Sequence, residues 1–166
     1  MNESSPHEVF EQFVAALDQP VYVVTTAVRS ERAGCLVGFA MQSSIDPPRF
    51  LVGLSVANHT FRVANDADHL AVHLLPTEAS DLADLFGGET GDEVDKFARC
   101  SWHEGPHGLP VLDGAIAWLC GRILDRVPLG DHTGFVLEPV GGSGPTGAAE
   151  VMTISDVGDL APGHDA

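Results

Sequence analysis

Near the start of the chain the apolar positions recur with a helical period: Val9, Phe10, Phe13, Val14 and Leu17 share one face. Ser5-Pro6-His7-Glu8 ahead of them reads as a capping box with proline in the first turn, so the pattern predicts a helix ending near Asp18. The period then changes. Pro20 to Val28 is β-branched and apolar and predicts a strand, the polar residues 29–34 a turn, and Cys35 to Met41 a second strand that closes a hairpin. Pro47 and Pro48 cannot sit inside a central strand, so they end a loop before a third strand over Arg49 to Ser55. Asn58 or His59 caps a short helix bearing Phe61, Val63 and Ala64, and His69 to Leu75 is a strand stopped by Pro76.

The second half repeats this alternation with longer strands. Thr77 caps a helix carrying Ala79, Leu82, Ala83, Leu85 and Phe86, which Gly87-Gly88 ends. Residues 89–97 are acidic and read as a loop with a short helix, and 102–110 are rich in Gly and Pro. Ala115 to Val127 is the longest strand candidate, pairing with His132 to Val140 through Pro128-Leu129-Gly130-Asp131. Many short strands with few helices predict a mainly β protein, an antiparallel barrel, over residues 1–140. GGSGPTGAA at 141–149 reads as a flexible linker, and 150–157 as a last short strand in a C-terminal tail that runs to 166.

Composition narrows the function. At 166 residues and 44% hydrophobic content the chain can bury one proper core. Its formal charge of −16, with Lys96 as its one lysine, repels nucleic acid and anionic membrane surfaces, so neither is expected as a partner. Cys35, Cys100 and Cys120 are widely spaced, which suggests neither a disulfide framework nor a zinc knuckle. No apolar run is long enough to span a membrane, and the N-terminal MNESSPHE lacks the basic-then-apolar order of a secretory signal; a cytoplasmic location is expected.

Four motifs occur in order: Ser44-Ile45-Asp46-Pro47-Pro48 followed by an apolar strand and Asn58-His59-Thr60; Asp95-Lys96-Phe97-Ala98; Gly108-Leu109-Pro110-Val111-Leu112-Asp113-Gly114-Ala115; and Gly130-Asp131-His132-Thr133. Together, from about Phe10 to Val140, they resemble the flavin reductase-like family of FMN-binding split β-barrels. The resemblance implies a split barrel of antiparallel Greek-key type, a bound FMN or FAD, and NAD(P)H as co-substrate. It also implies a homodimer with flavin sites at the two-fold interface, for which Trp118 and Phe135 are apolar candidates on paired strands. A separate monooxygenase component would receive the reduced flavin.

By the same resemblance, Leu36 through Ser44 would meet the isoalloxazine and ribityl chain, with Val37, Gly38, Phe39, Ala40, Gln42 and Ser43 as contacts. This stretch departs from the family pattern: small hydroxyl or amide residues are common where Leu36, Gly38 and Phe39 stand, so backbone contacts have to replace side-chain hydrogen bonds. Gly38, without a Cβ, permits that approach. The family's phosphate turn falls on Ser55 to Thr60, which contains no lysine or arginine. Binding there would rest on N–H groups at the helix start, the Asn58 amide, the Ser55 and Thr60 hydroxyls and protonated His59, with Arg49, Arg62 or Lys96 as further candidates and Phe97 beside Lys96. His132 is assigned by the resemblance to the nicotinamide side, where it would position reactants without having to donate a proton.

Other constellations carry less. His69 and His73 lie in a strand-like run where their spacing spans roughly 13 Å, so they do not read as a metal pair. His103 and His107 flank Gly105-Pro106 without a third ligand, and no metal site is expected. Ser43-Ser44 lacks the setting of a nucleophile elbow, and no Rossmann or P-loop glycine pattern occurs. The alternatives left open are a deazaflavin-dependent reductase on the same barrel and a non-catalytic flavin- or tetrapyrrole-binding protein.

Overall fold

In a computed structural model of the chain, residues 4–158 are described. Helix α1 spans Pro6–Ala15, capped as its sequence predicts by the reciprocal Ser5 and Glu8 bonds. Strands β1 (Tyr22–Val28) and β2 (Glu31–Val37) form a hairpin over the two residues Arg29 and Ser30, so the turn is shorter than expected. Arg29 takes the left-handed conformation that such a tight reversal requires (φ 56°). The expected strand through Met41 is broken at Gly38-Phe39, and β3 (Ala40–Ser44) begins within that expected strand and runs on into what reads as loop. There follow β4 (Arg49–Ser55), α2 (His59–Ala64), β5 (His69–Leu74) and α3 (Ser80–Gly88). Ala79, not Thr77, stands at the N-cap of α3, and it makes no side-chain cap.

Two three-residue strands, β6 (Trp102–Glu104) and β7 (Pro110–Leu112), pair with each other in the Gly- and Pro-rich stretch. The long pair is β8 (Ala117–Pro128) and β9 (His132–Ser143). β9 runs past Val140: Gly141, Gly142 and Ser143, which read as linker, lie opposite Cys120, Leu119 and Trp118. The tail is tied down by single bridges, Pro76 to Val151 and Pro20 to Thr153, and by a 3-10 turn over Ile154–Val157 in place of a last strand.

Seven strands form one antiparallel sheet in the order β2-β1-β5-β8-β9-β4-β3. Its two edges, β2 and β3, are consecutive in the chain and separated only by Gly38 and Phe39. A two-residue link cannot span a flat seven-stranded sheet, so the sheet curls until its edges meet at an open seam. The interior holds Val24, Cys35, Val37, Val52, Leu54, Leu70, Val72, Phe135 and Leu137. A second core lies between the outer face and α3, around Val21, Val23, Leu75, Phe86, Phe97, Leu112 and Met152. Because both faces of β1 are covered, its sequence does not alternate: apolar residues run on with Thr25 and Thr26, whose hydroxyls are buried and donate to the carbonyls of Pro110 and His69.

One expectation fails on burial. Phe135 is fully buried in the barrel and offers nothing to a partner, and Trp118 is half-buried. The apolar face of α1, by contrast, is uncovered: Phe10 and Phe13 are 62% and 66% exposed, and no α1 residue is buried.

Candidate functional site

The seam opens onto a cavity of about 340 Å³, lined by Cys35, Leu36, Val37, Gly38 and Phe39 from β2 and the bend, and Gly53, Leu54 and Ser55 from β4. Asn58, His132 and Ile154 complete the lining. That volume admits a small ring system and not an entire dinucleotide. Six residues singled out from sequence thus meet at one place: Val37, Gly38, Phe39, Ser55, Asn58 and His132.

Strand pairing explains the meeting. Ser55 lies opposite His132 and Gly53 opposite Gly134, so Gly53, Ser55 and His132 share one face of β4 and β9. Phe39 is set over that face by its carbonyl, which accepts the Gly53 N–H at 2.7 Å. A Cβ on Gly53 would stand 3.2 Å from the Phe39 Cβ and 3.9 Å from the His132 Cδ2, so the absence of a side chain leaves the cradle open. The Phe39 and His132 rings meet edge to face with centroids 4.8 Å apart. His132 Nδ1 lies 2.7 Å from Asp131 Oδ1, and this bond is the first cause holding the Asp131 carboxyl below its usual range. An ionised Asp131 favours the proton on Nδ1 and leaves Nε2 to face a ligand.

The other sequence candidates lie elsewhere. Ala40, Gln42 and Ser43 sit on edge strand β3, where Gln42 and Ser43 are exposed and outside the cavity lining. Thr60 is buried, and its N–H is taken by the Asn58 side chain at 2.9 Å. His59, Lys96 and Phe97 line a neighbouring cavity of about 350 Å³ formed with residues 30–34 and 91–95. His59 is held between carboxylates there, its Nδ1 3.1 Å from Asp92 and its Nε2 3.5 Å from Glu31. Arg62 binds both oxygens of Asp92 at 2.5 Å, and Arg49 donates to the carbonyl of Pro48.

Lys96 is 4% exposed and donates to the carbonyls of Gly34 and Phe86 at 2.9 and 3.1 Å. Burial lowers its pKa. It therefore joins β2 to the end of α3, and among the described residues no lysine or arginine lines the seam cavity. Burial also pushes the Cys35 thiol up, which keeps it protonated at the cavity floor. Cys35, Gly53, Leu54 and Ile154 are lining residues that sequence reasoning missed: the first three come with their strands, and the hydrogen bonding of the tail brings Ile154 to the seam.

A flavin ring fits these residues better than a flavin phosphate does. Leu36, Val37, Leu54, Phe39 and Ile154 give apolar walls, Gly38 and Gly53 allow close approach, and the seam edges β2 and β3 carry backbone groups that face no further strand. Among the described residues, no lysine or arginine lines this cavity to meet a phosphate.

Comparison with known proteins gives a consistent outcome. The family model described as "Flavin reductase like domain" matches residues 14–156. An FMN reductase (NADH) RutF from Ancylobacter novellus is 31% identical over 134 residues, covering 81% of this chain and 74% of that protein. The 4-hydroxyphenylacetate 3-monooxygenase reductase component of Pseudomonas aeruginosa is 30% identical over 140 residues, covering 83% and 82%. Among solved structures, the Streptomyces globisporus NADH:FAD oxidoreductase SgcE6 shares the fold with a TM-score of 0.82 at 24% identity, covering 92% of each chain. An FMN-binding protein from Thermus thermophilus does so with a TM-score of 0.74 at 27% identity, covering 86% and 76%.

Proposed function

The chain belongs to the flavin reductase-like family, and on that premise we propose that it binds a flavin at the barrel seam and reduces it with NADH. The observation that carries this reading is the convergence of Gly38, Phe39, Gly53, Ser55, Asn58 and His132 on one cavity of ring-system size. FMN is the flavin and NADH the reductant favoured by the relatives at about 30% identity, whose names specify them.

The flavin, when bound, supplies the chemistry, accepting a hydride at N5 from the nicotinamide C4. The protein's part is positioning. The backbone at Val37 to Phe39 approaches one ring edge, Ser55 and Asn58 offer polar contacts at the inner end, and the Phe39–His132 pair walls the mouth where the nicotinamide would stack. No side chain needs to transfer a proton for hydride to pass, which agrees with a site that holds one histidine and no ionised acid in its lining.

Weak provision for the phosphate favours a flavin that binds and leaves as a substrate over one held permanently. Such a protein would hand reduced flavin to a separate monooxygenase, as the name of the Pseudomonas relative suggests for that protein. We further read the chain as a cytoplasmic homodimer in which the exposed face of α1 is covered by a second copy. The same missing cation is the one observation that supports a second reading, binding without turnover. Purified protein mixed with FMN and NADH without oxygen separates the two: bleaching of the flavin supports reduction, and a bound flavin that stays oxidised supports binding alone.

A further inference from the structure

We propose that the C-terminal segment 150–157 is a wall of the flavin cavity and that Ile154 is a binding residue for the edge of the ring system. The proposal rests on the flavin reading above. The segment is fixed to the barrel residue by residue. Glu150 accepts from the Thr77 N–H at 3.0 Å, Met152 donates to Leu75 and accepts from Val21 at 2.9 and 3.1 Å, and Ile154 donates to the Gln19 carbonyl at 2.9 Å. Met152 is buried in the outer core, and Ser155 donates from both its N–H and its hydroxyl to the Asp18 carboxylate at 2.9 Å. Those two bonds are the leading causes that lower the Asp18 pKa, so the clasp holds at neutral pH.

One residue joins this strap to the seam. Gln19, whose carbonyl accepts Ile154, also donates from Nε2 to the carbonyl of Gly38 at 3.0 Å. Gly38 and Ile154 are thereby clamped together, and a Cβ on Gly38 would stand 3.1 Å from Ile154 Cδ1. Both residues line the cavity. The missing side chain at Gly38 thus has a specific beneficiary: it leaves room for the Ile154 side chain, which then closes the cavity beside the bend. Ile154 adds an apolar side chain to a lining otherwise supplied by residues of β2, the bend, β4, the Asn58 cap and the start of β9. Ile154 packs on its other side against the outer core with Leu36, so its position is preset before any ligand arrives.

The test is flavin titration with the full chain, followed by quenching of FMN fluorescence. Gly38→Ala should raise the FMN Kd by about tenfold, because its methyl displaces Ile154 Cδ1. Against the background of Ile154→Val, which lacks that atom, the same Gly38→Ala change should cost less than about threefold. Ile154→Ala should raise the Kd by about tenfold while the KM for NADH moves much less. Thermal midpoints of all variants record the fold separately. Should the Gly38→Ala effect be the same in both backgrounds, or Ile154→Ala bind FMN as wild type does, the proposal is overturned. If the wild-type chain binds no flavin, it is the function reading that fails.

Discussion

The ring of Phe39 meets the ring of His132 edge to face, planes at 60°, at the mouth of the seam cavity. The two residues are far apart in sequence, Phe39 in the bend between β2 and β3 and His132 at the first position of β9. Phe39 is 59% exposed, with its carbonyl bonded to the Gly53 N–H, while the His132 ring is braced by Asp131.

From this follows the expected behaviour of His132→Ala. Loss of the braced ring should slow flavin reduction by NADH by about ten- to hundredfold, corresponding to about 1.4–2.8 kcal/mol of lost alignment, while the flavin Kd changes little. Stopped-flow bleaching measures the first and fluorescence titration the second. Wild-type reduction rates would make His132 structural, and loss of flavin binding would move it into the cofactor-holding set.

The absence of lysine and arginine from the cavity lining predicts that the phosphate contributes little to binding. Riboflavin and FMN should bind within about threefold of each other. Because the chain carries a charge of −16, added salt should tighten FMN and leave riboflavin unaffected. FMN binding tens of times tighter than riboflavin at every salt concentration would show a phosphate site that these residues do not explain.

His73 gives the pH dependence of stability. It is fully buried, donating from Nδ1 to the Val23 carbonyl and accepting the Leu112 N–H at Nε2, and burial is the main cause that lowers its pKa to about 4. The unfolded chain therefore takes up a proton at about pH 6.5 that the folded chain refuses until about pH 4. Its contribution is complete above that window and falls by about 3 kcal/mol across it as the pH drops. Thermal unfolding of wild type and His73→Gln should show the variant less stable at about pH 7 and the gap narrowed at about pH 5. A gap independent of pH would contradict the assignment.

The uncovered face of α1 predicts the assembly. Val9, Phe10, Phe13, Val14 and Leu17 are all exposed, and a face of that kind is unfavourable in water. Sedimentation should give twice the chain mass, and Phe10→Glu with Phe13→Glu should give the single chain mass. A wild-type monomer, or a charged variant that stays dimeric, would count against this surface.

The order of the elements was legible in the sequence because it depends on period, caps and prolines, whereas the residues around the seam were indicated by the family resemblance alone. α1 with its capping box, β4 after Pro48 and the Asn58 cap are local features and lie where their residues put them. What depends on distant partners was not legible. Phe135 sits in an alternating strand, and alternation identifies two faces without telling which is the interior; register shifts between β8 and β9 obscure it further. The Asn58 cap is readable, but the carboxylates that hold His59 come from Glu31 and Asp92, far along the chain. Lys96 looked like a phosphate ligand because it is the chain's one lysine, and its bonds to Gly34 and Phe86 could only be found in three dimensions. For the tail, a glycine-rich composition at 141–149 suggested a linker although 141–143 pair in β9, and 150–157 read as a strand, whereas the backbone bonds of Met152 and Ile154 and a 3-10 turn place it at the seam.

The central claim is that the seam cavity holds a flavin for reduction by NADH. Its most direct measurement is the visible absorbance of FMN mixed without oxygen with the purified chain and NADH, compared with the same mixture without protein. The account predicts rapid bleaching that requires the chain and, when oxygen is admitted, continued NADH consumption through many turnovers of free flavin. Flavin that stays oxidised in the presence of folded protein and NADH would contradict it.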